Sequence, residues 1–252
     1  MGETIVFTSG KGGVGKTTTI ANIGAGLSQL DKKVVMLDTD MGLRNLDVVM
    51  GLEDQINYNL LDLLENKCRL NQALIRDKRF PNLYMIPASL KSIPMEKYQK
   101  AFSNLLNHLK KEFDYCLIDC PAGIEQGFRF AISNADRAIL LTTPHISAIK
   151  DASRVLMLLH ASGIPKIEII INEYEEKLVK KNFILSKKDI EDLFDIPILG
   201  TIPRDTKIIV SQNKGVPVVT MRSKATRQFM YLSEQMMINN DLEGAECIHD
   251  IS

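Results

Sequence analysis

Apolar residues gather into short runs rich in β-branched side chains, at Thr4–Thr8, Lys33–Leu37, Leu83–Ile86, Tyr115–Ile118, Ala138–Leu141, Ile167–Ile171 and Ile198–Ile202. Most of these runs are continuous rather than alternating, as expected of strands covered on both faces in a parallel sheet. Between them the apolar spacing shifts to three and four. Tyr98, Phe102, Leu105, Leu106 and Leu109 mark one face of a helix over Met95–Glu112. Ala148, Ala152, Val155, Leu156 and Leu159 do the same over Ile146–Ser162, which Gly163 and Pro165 terminate. Further helices are predicted over Ser186–Phe194, with Ser186 as N-cap, and over Ser223–Ile238. Strands alternating with helices imply right-handed crossovers, and so an α/β fold with a doubly wound, mostly parallel sheet and helices on both faces. Residues 1–238 read as one domain. Residues 239–252, whose charged side chains are Asp241, Glu243, Glu246 and Asp250, read as a flexible acidic tail.

Composition narrows the class. The 252 residues carry 31 Lys+Arg against 31 Asp+Glu, a formal net charge of zero, which gives no overall field to attract nucleic acid. No apolar run approaches the ~20 residues of a membrane-spanning helix. The opening Met1-Gly2-Glu3-Thr4 has no basic region, so no secretory signal is expected, and Val6 removes the pattern for N-myristoylation. Cys116 and Cys120 would lie ~13 Å apart along a strand, beyond the ~7 Å a disulfide spans. Reduced thiols in a cytoplasmic protein are expected.

The first strand runs into Gly10-Lys11-Gly12-Gly13-Val14-Gly15-Lys16-Thr17-Thr18, a G-x-x-x-x-G-K-[ST] loop between a predicted strand and helix. Glycines permit a turn in which successive backbone N–H groups converge on phosphate oxygens at a helix N-terminus. Lys16 then reaches the β- and γ-phosphates of ATP, and the Thr17 hydroxyl ligates Mg²⁺. Lys11 is superfluous for one nucleotide in cis, and two uses are open to it. It is either a solvated surface lysine or a group that reaches the nucleotide of a second subunit, as an arginine finger does.

Two strands end in acids. Val34–Leu37 leads to Asp38 and Asp40, and Tyr115–Ile118 to Asp119. The carboxyl ends of neighbouring strands line the ligand crevice of an open α/β sheet, so these acids should gather beside the loop. Asp119 is placed to hold the Mg²⁺ shell and Asp38 to support it. Asp40 is the candidate for orienting the attacking water. The segment around Gly123 is placed to move when a γ-phosphate leaves.

The loop from Lys11 to Thr18 resembles the deviant Walker A motif of the ParA/MinD family of dimerising P-loop ATPases. The segments Asp38–Asp47, Leu70–Asp77 and Asp119–Glu125 resemble its MinD branch, and the likeness runs from about residue 4 to about residue 220. The resemblance implies an ATP-sandwich homodimer in which Lys11 contacts the partner's nucleotide, slow Mg²⁺-dependent hydrolysis supported by Lys16 and Asp40, and septum positioning with a MinC-type division inhibitor. It also implies control by a MinE-like or other topological factor, and ATP-dependent peripheral binding to the inner face of the cell membrane. Arg44, Asn45 and Asp151 fall where the family places its dimer and partner surface. Adenine contacts are expected from Asn172, Pro203 and Asp205. The chain departs from the family at its acidic tail, where a basic amphipathic helix is usual. A second basic cluster, Lys177, Lys180, Lys181, Lys187 and Lys188, reads as a solvated loop.

Three other readings compete. A positioning ATPase for flagella or for DNA segregation shares the loop, but the DNA type needs a basic stripe. An iron–sulfur carrier on the same scaffold needs grouped cysteines, and only Cys120 stands near. A non-hydrolysing ATP-binding scaffold would not require Lys16, Thr17, Asp40 and Asp119 together.

Overall fold

Among the described residues, eight strands form one sheet in the order β3-β4-β2-β5-β1-β6-β7-β8. They are β1 (Glu3–Ser9), β2 (Val34–Asp38), β3 (Ile75–Arg76), β4 (Leu83–Ile86), β5 (Tyr115–Asp119), β6 (Arg137–Thr142), β7 (Lys166–Tyr174) and β8 (Ile198–Pro203). The structure is a computed structural model and describes residues 1–91, 93–124 and 126–246. All pairings are parallel except that of β3 with β4. The helices are α1 (Lys16–Gln29), α2 (Leu46–Met50), α3 (Leu60–Leu64), α4 (Leu70–Ala73), α5 (Gln99–Glu112), α6 (Gln126–Ile132), α7 (Ile146–Ala161), α8 (Glu176–Val179), α9 (Lys187–Phe194), α10 (Thr206–Asn213) and α11 (Lys224–Glu246).

Successive strand residues feed two cores, one on each face. Val6, Val35, Leu37, Cys116, Ile118 and Leu140 pack with Phe102 and Leu106 of α5 and Val155 and Leu159 of α7. Ile5, Phe7, Met36, Leu117, Ile139 and Leu141 pack with Ile20 and Ile23 of α1 and Phe229 and Leu232 of α11. Cover on both faces is why the strands read as unbroken apolar runs.

Four local differences from the sequence reading stand out. The edge strand β3 is two residues long, below the length at which a periodic pattern exists. β7 continues past Ile171 through Asn172 to Tyr174. The segment Glu96–Tyr98 is a single 3₁₀ turn that leads into α5. α11 starts at Lys224 and runs to Glu246, into the segment set apart as a tail. Residues 247–252 of that tail lie outside the described residues. Cys68, Cys116 and Cys120 are free thiols.

Candidate functional site

Parallel pairing brings the carboxyl ends of the central strands to one edge, where the loop between β1 and α1 turns. β1 ends at Ser9, and the loop Gly10–Gly15 delivers the chain into α1 at Lys16. Gly15 has φ 89, and a Cβ there would sit 2.3 Å from Asn172 Nδ2, so only glycine fits. Around Gly12 and Gly13 nothing lies within 4 Å of where a Cβ would stand. Lys11, Gly12 and Gly13 are exposed, whereas Val14, Lys16 and Thr18 are buried and Thr17 is half-buried. Gly10 packs against the backbone of Asp151 on α7, and Ser9 Oγ donates to the Lys11 carbonyl at 3.0 Å.

Lys16 Nζ lies 2.6 Å from Asp119 Oδ1. Burial alone would lower the lysine pKa, but the facing Asp119 carboxylate outweighs it and holds the ammonium above its usual range. Asp38 and Asp119 are opposite one another in the β2–β5 register. Burial and the Asp119 charge push Asp38 up to about 7. Asp38 Oδ1 accepts from the Asp40 N–H at 2.9 Å, and Oδ2 accepts from the N–H groups of Asn45 and Leu46 at 3.2 Å each. Asp38 thereby folds the loop 40–45 against the site and starts α2. Asp40 is half-buried, and its pKa is raised by burial and by Asp119, with Lys16 opposing. The Thr39 Oγ1 donates to the Asp119 carbonyl at 2.7 Å, and the Gly123 N–H donates to the Ser9 carbonyl at 3.1 Å. The two acid-bearing loops and the glycine loop therefore share hydrogen bonds.

A cavity of about 230 Å³ opens beside the glycine loop. Asn172, Pro203 and Asp205, the residues from which adenine contacts are expected, line it, and Ile208, Ile209 and Gln212 of α10 form another wall. Asn172 Nδ2 donates to the Val14 carbonyl at 2.8 Å, so this side chain props the loop as well as facing the cavity. Asp205 caps helices: its oxygens accept from the Lys207 N–H at 2.9 Å and the Ala225 N–H at 3.2 Å. Burial raises its pKa, but these backbone hydrogen bonds win and leave it below the usual range. Gln212 Nε2 donates to Thr18 Oγ1 at 2.5 Å. Sequence pattern gave no sign of Ile208, Ile209 or Gln212, because α10 follows no strong apolar period.

The surface residues fall near the same edge. Arg44, with φ 49, forms a 2.7 Å ion pair with the buried Asp47, and Asn45 is exposed at the start of α2. A second cavity, of about 310 Å³, runs between Asp40, Leu43, Pro121 and Phe128.

The donor set suits Mg²⁺. Thr17, Asp38 and Asp119 offer hard oxygens, and among the described residues no three His, Cys, Asp or Glu side chains group to hold a metal by themselves. Mg²⁺ is commonly held by one or two carboxylates together with substrate phosphates, so a sparse protein shell of this kind fits it.

Comparison with known proteins places the chain among these sites' relatives. The AAA domain family matches residues 2–162. The chain is 50% identical to the septum site-determining protein MinD of Synechocystis over 219 residues, 87% of this chain and 82% of that one. A MinC:MinD cell division protein complex from Aquifex aeolicus superposes with a TM-score of 0.86 at 41% identity, covering 93% of this chain and 95% of that one. The septum site-determining protein MinD of Pyrococcus horikoshii, complexed with Mg-ADP, gives 0.83 at 31% identity, with 94% and 96% covered.

Proposed function

The chain belongs to the MinD family of septum site-determining proteins, and on that premise we propose that it is a Mg²⁺-dependent ATPase whose nucleotide state positions the division septum. The observation that carries this reading is the buried Lys16–Asp119 pair under an open glycine loop, with Asp38 and Asp40 crowded beside it. A lysine held between acids is poised to exchange Asp119 for the β- and γ-phosphates of ATP. Mg²⁺, when bound, supplies charge neutralisation at the phosphate oxygens. The chain's own groups do the rest. The loop amides from Gly10 to Thr18 cradle the phosphates, and Lys16 carries their charge. Thr17 and Asp119 would hold the metal, with Asp38 supporting its shell. Asp38, whose oxygens already accept backbone N–H groups, keeps the Asp40 loop in place beside it. Asp40 orients the attacking water. Asn172, Pro203 and Asp205 border the adenine.

In the same reading two ATP-bound copies pair, and the exposed Lys11 of each reaches the partner's nucleotide. Hydrolysis is slow and dimer-activated. The edge bearing Arg44, Asn45 and Asp151 meets the partner copy and a MinC-like division inhibitor, under control of a MinE-like or other topological factor. Residues 1–238 act as the ATPase unit and 239–252 as an acidic appendage. The protein is cytoplasmic. No helix among the described residues is long and apolar enough to cross a bilayer, so contact with the inner membrane face is peripheral in this reading.

The test is a pair of variants followed by light scattering and phosphate release. Lys11→Ala is expected to abolish ATP-dependent dimerisation, and Asp40→Ala to leave a dimer that turns over slowly. Unchanged turnover in both variants overturns the assignment. Co-sedimentation of the full chain with anionic liposomes, in ATP and in ADP, tests the membrane contact, which fails if ATP causes no pelleting.

A further inference from the structure

The base cavity and the Asp38 loop run, by separate helices, to one crossing point. α10 lines the cavity with Ile208, Ile209 and Gln212, and its chain ends in Lys214 and Gly215. α2 hangs from Asp38 through the N–H groups of Asn45 and Leu46, and ends at Met50 and Gly51. Gly51 and Gly215 have left-handed backbones, φ 62 and 59. They press on each other: a Cβ on Gly51 would lie 2.5 Å from the Gly215 carbonyl oxygen, and one on Gly215 would lie 2.7 Å from the Gly51 Cα. Only glycine fits at either position.

Arg79, in the turn between β3 and β4, fastens this crossing. Its Nη1 donates to the Gly215 carbonyl at 2.8 Å, and its Nη2 donates to the Met50 carbonyl. On the other side, Nε and Nη2 donate to Asp77 Oδ1 and Oδ2 at 2.9 and 2.6 Å. Asp77 is buried, 1% exposed, so the fork has one fixed orientation. A planar guanidinium can bind a carboxylate bidentately while reaching two carbonyls, which a lysine ammonium cannot reproduce.

We propose that Arg79, oriented by Asp77, is a positioning residue that carries occupancy of the base cavity by a nucleobase to α2 and the Asp38 loop. A base seated against α10 fixes the Gly215 carbonyl. Arg79 ties that carbonyl to the last carbonyl of α2, and α2 in turn presents its first amides to Asp38. A ligand with a base therefore orders the loop 40–45 more fully than its phosphates alone. The proposal rests on the cavity beside Asn172 being the base site.

Hydrogen exchange of the full chain with Mg²⁺ tests it, comparing saturating ADP with saturating pyrophosphate. In the unmodified protein, ADP should slow exchange over residues 45–52 by about fivefold or more relative to pyrophosphate, the scale of a typical coupling between sites. In Arg79→Lys that ratio should fall to one, while ADP still protects residues 203–213 more than pyrophosphate does. General destabilisation would speed exchange with both ligands and leave the ratio intact. Arg76→Lys, on β3 with its Nε on the Pro81 carbonyl, should keep the original ratio. If Arg79→Lys does not fold, Asp77→Asn is read in the same way. A ratio that persists with residues 203–213 still protected overturns the proposal alone. Equal protection of 203–213 by ADP and pyrophosphate overturns the base-site reading, and the proposal with it.

Discussion

Buried charge lies at both ends of the same strands, under opposite conditions. At the amino ends, Arg137 of β6 is fully buried and its Nε donates to Glu168 of β7 at 2.5 Å. Its Nη1 faces Glu3 of β1 at 3.8 Å and donates to the Met236 carbonyl of α11 at 3.4 Å, and only Nη2 has no hydrogen bond among the described residues. At the carboxyl ends, the single lysine Lys16 answers Asp119 while Asp38 and Asp40 crowd in. In one cluster the arginine is matched by carboxylates on two neighbouring strands and pins a helix to the sheet. The other crowds three acids around one lysine next to an open loop, an arrangement that a bound cation would relieve. Partnering, more than burial, separates a structural charge from a reactive one.

Removing a partner at each end is the strongest way to break this contrast. Arg137→Ala breaks the buried ion pair with Glu168 and should cost about 3–5 kcal/mol of stability. Urea unfolding should show this, with ATP turnover per folded molecule little changed. Lys16→Ala should do the reverse, lowering turnover by about 10²–10³-fold, the scale of losing one charge-stabilising group. Its stability cost should be only about 1–2 kcal/mol, since deleting the lysine side chain beneath the exposed Lys11, Gly12 and Gly13 lets water in to Asp119, which is 1% exposed while the lysine is present. Equal stability losses in the two variants would erase the distinction.

The pH dependence sharpens it. Folded Asp38 keeps its proton to about 7 against an ordinary value of 3.8, so the folded chain binds more protons between those values. Stability of the nucleotide-free protein should therefore fall as pH rises through that window, by about 1–3 kcal/mol, and level off above it. Urea midpoints at pH 5 and 7.5 measure this. Asp119→Asn, by removing the facing charge, should make the decline shallower.

The smallest expected effect is in thiol labelling. Burial pushes Cys116 and Cys120 both to about 12, so intrinsic reactivity does not distinguish them. Cys120 lies beside the crowded acids and Cys116 nearer the matched end. In nucleotide-free protein Cys120 should be alkylated about 10-fold faster, the ratio that ~1.4 kcal/mol of easier local opening gives. Equal rates would mean that both ends open alike.

What could be read from the sequence was what is local in the chain. The glycine loop and the acids ending β2 and β5 stand within or directly after apolar runs, so pattern and spacing located them. The gathering of Asp38, Asp40 and Asp119 beside the loop followed from the rule that parallel strands bring their carboxyl ends together, whereas the register that sets Asp38 opposite Asp119 did not. Other features left no signal. Gln212 meets Thr18, Arg79 meets Gly215, and Arg137 meets Glu168 and Met236, each from a distant part of the chain. Asp205 reads as a possible ligand group in a Pro-Arg-Asp turn, yet its oxygens cap α10 and the start of α11.

The sequence by itself determined the sheet, the helices on its two faces and the place of the glycine loop with its two acid-ended strands, because apolar periodicity and a contiguous backbone loop encode them directly. The tertiary structure decided which buried charges are matched and which compete, which side chains wall the cavity, and that two glycines and one arginine join α2 to α10. Those depend on distances between segments far apart in the chain, which residue order does not contain until the strands have set their register.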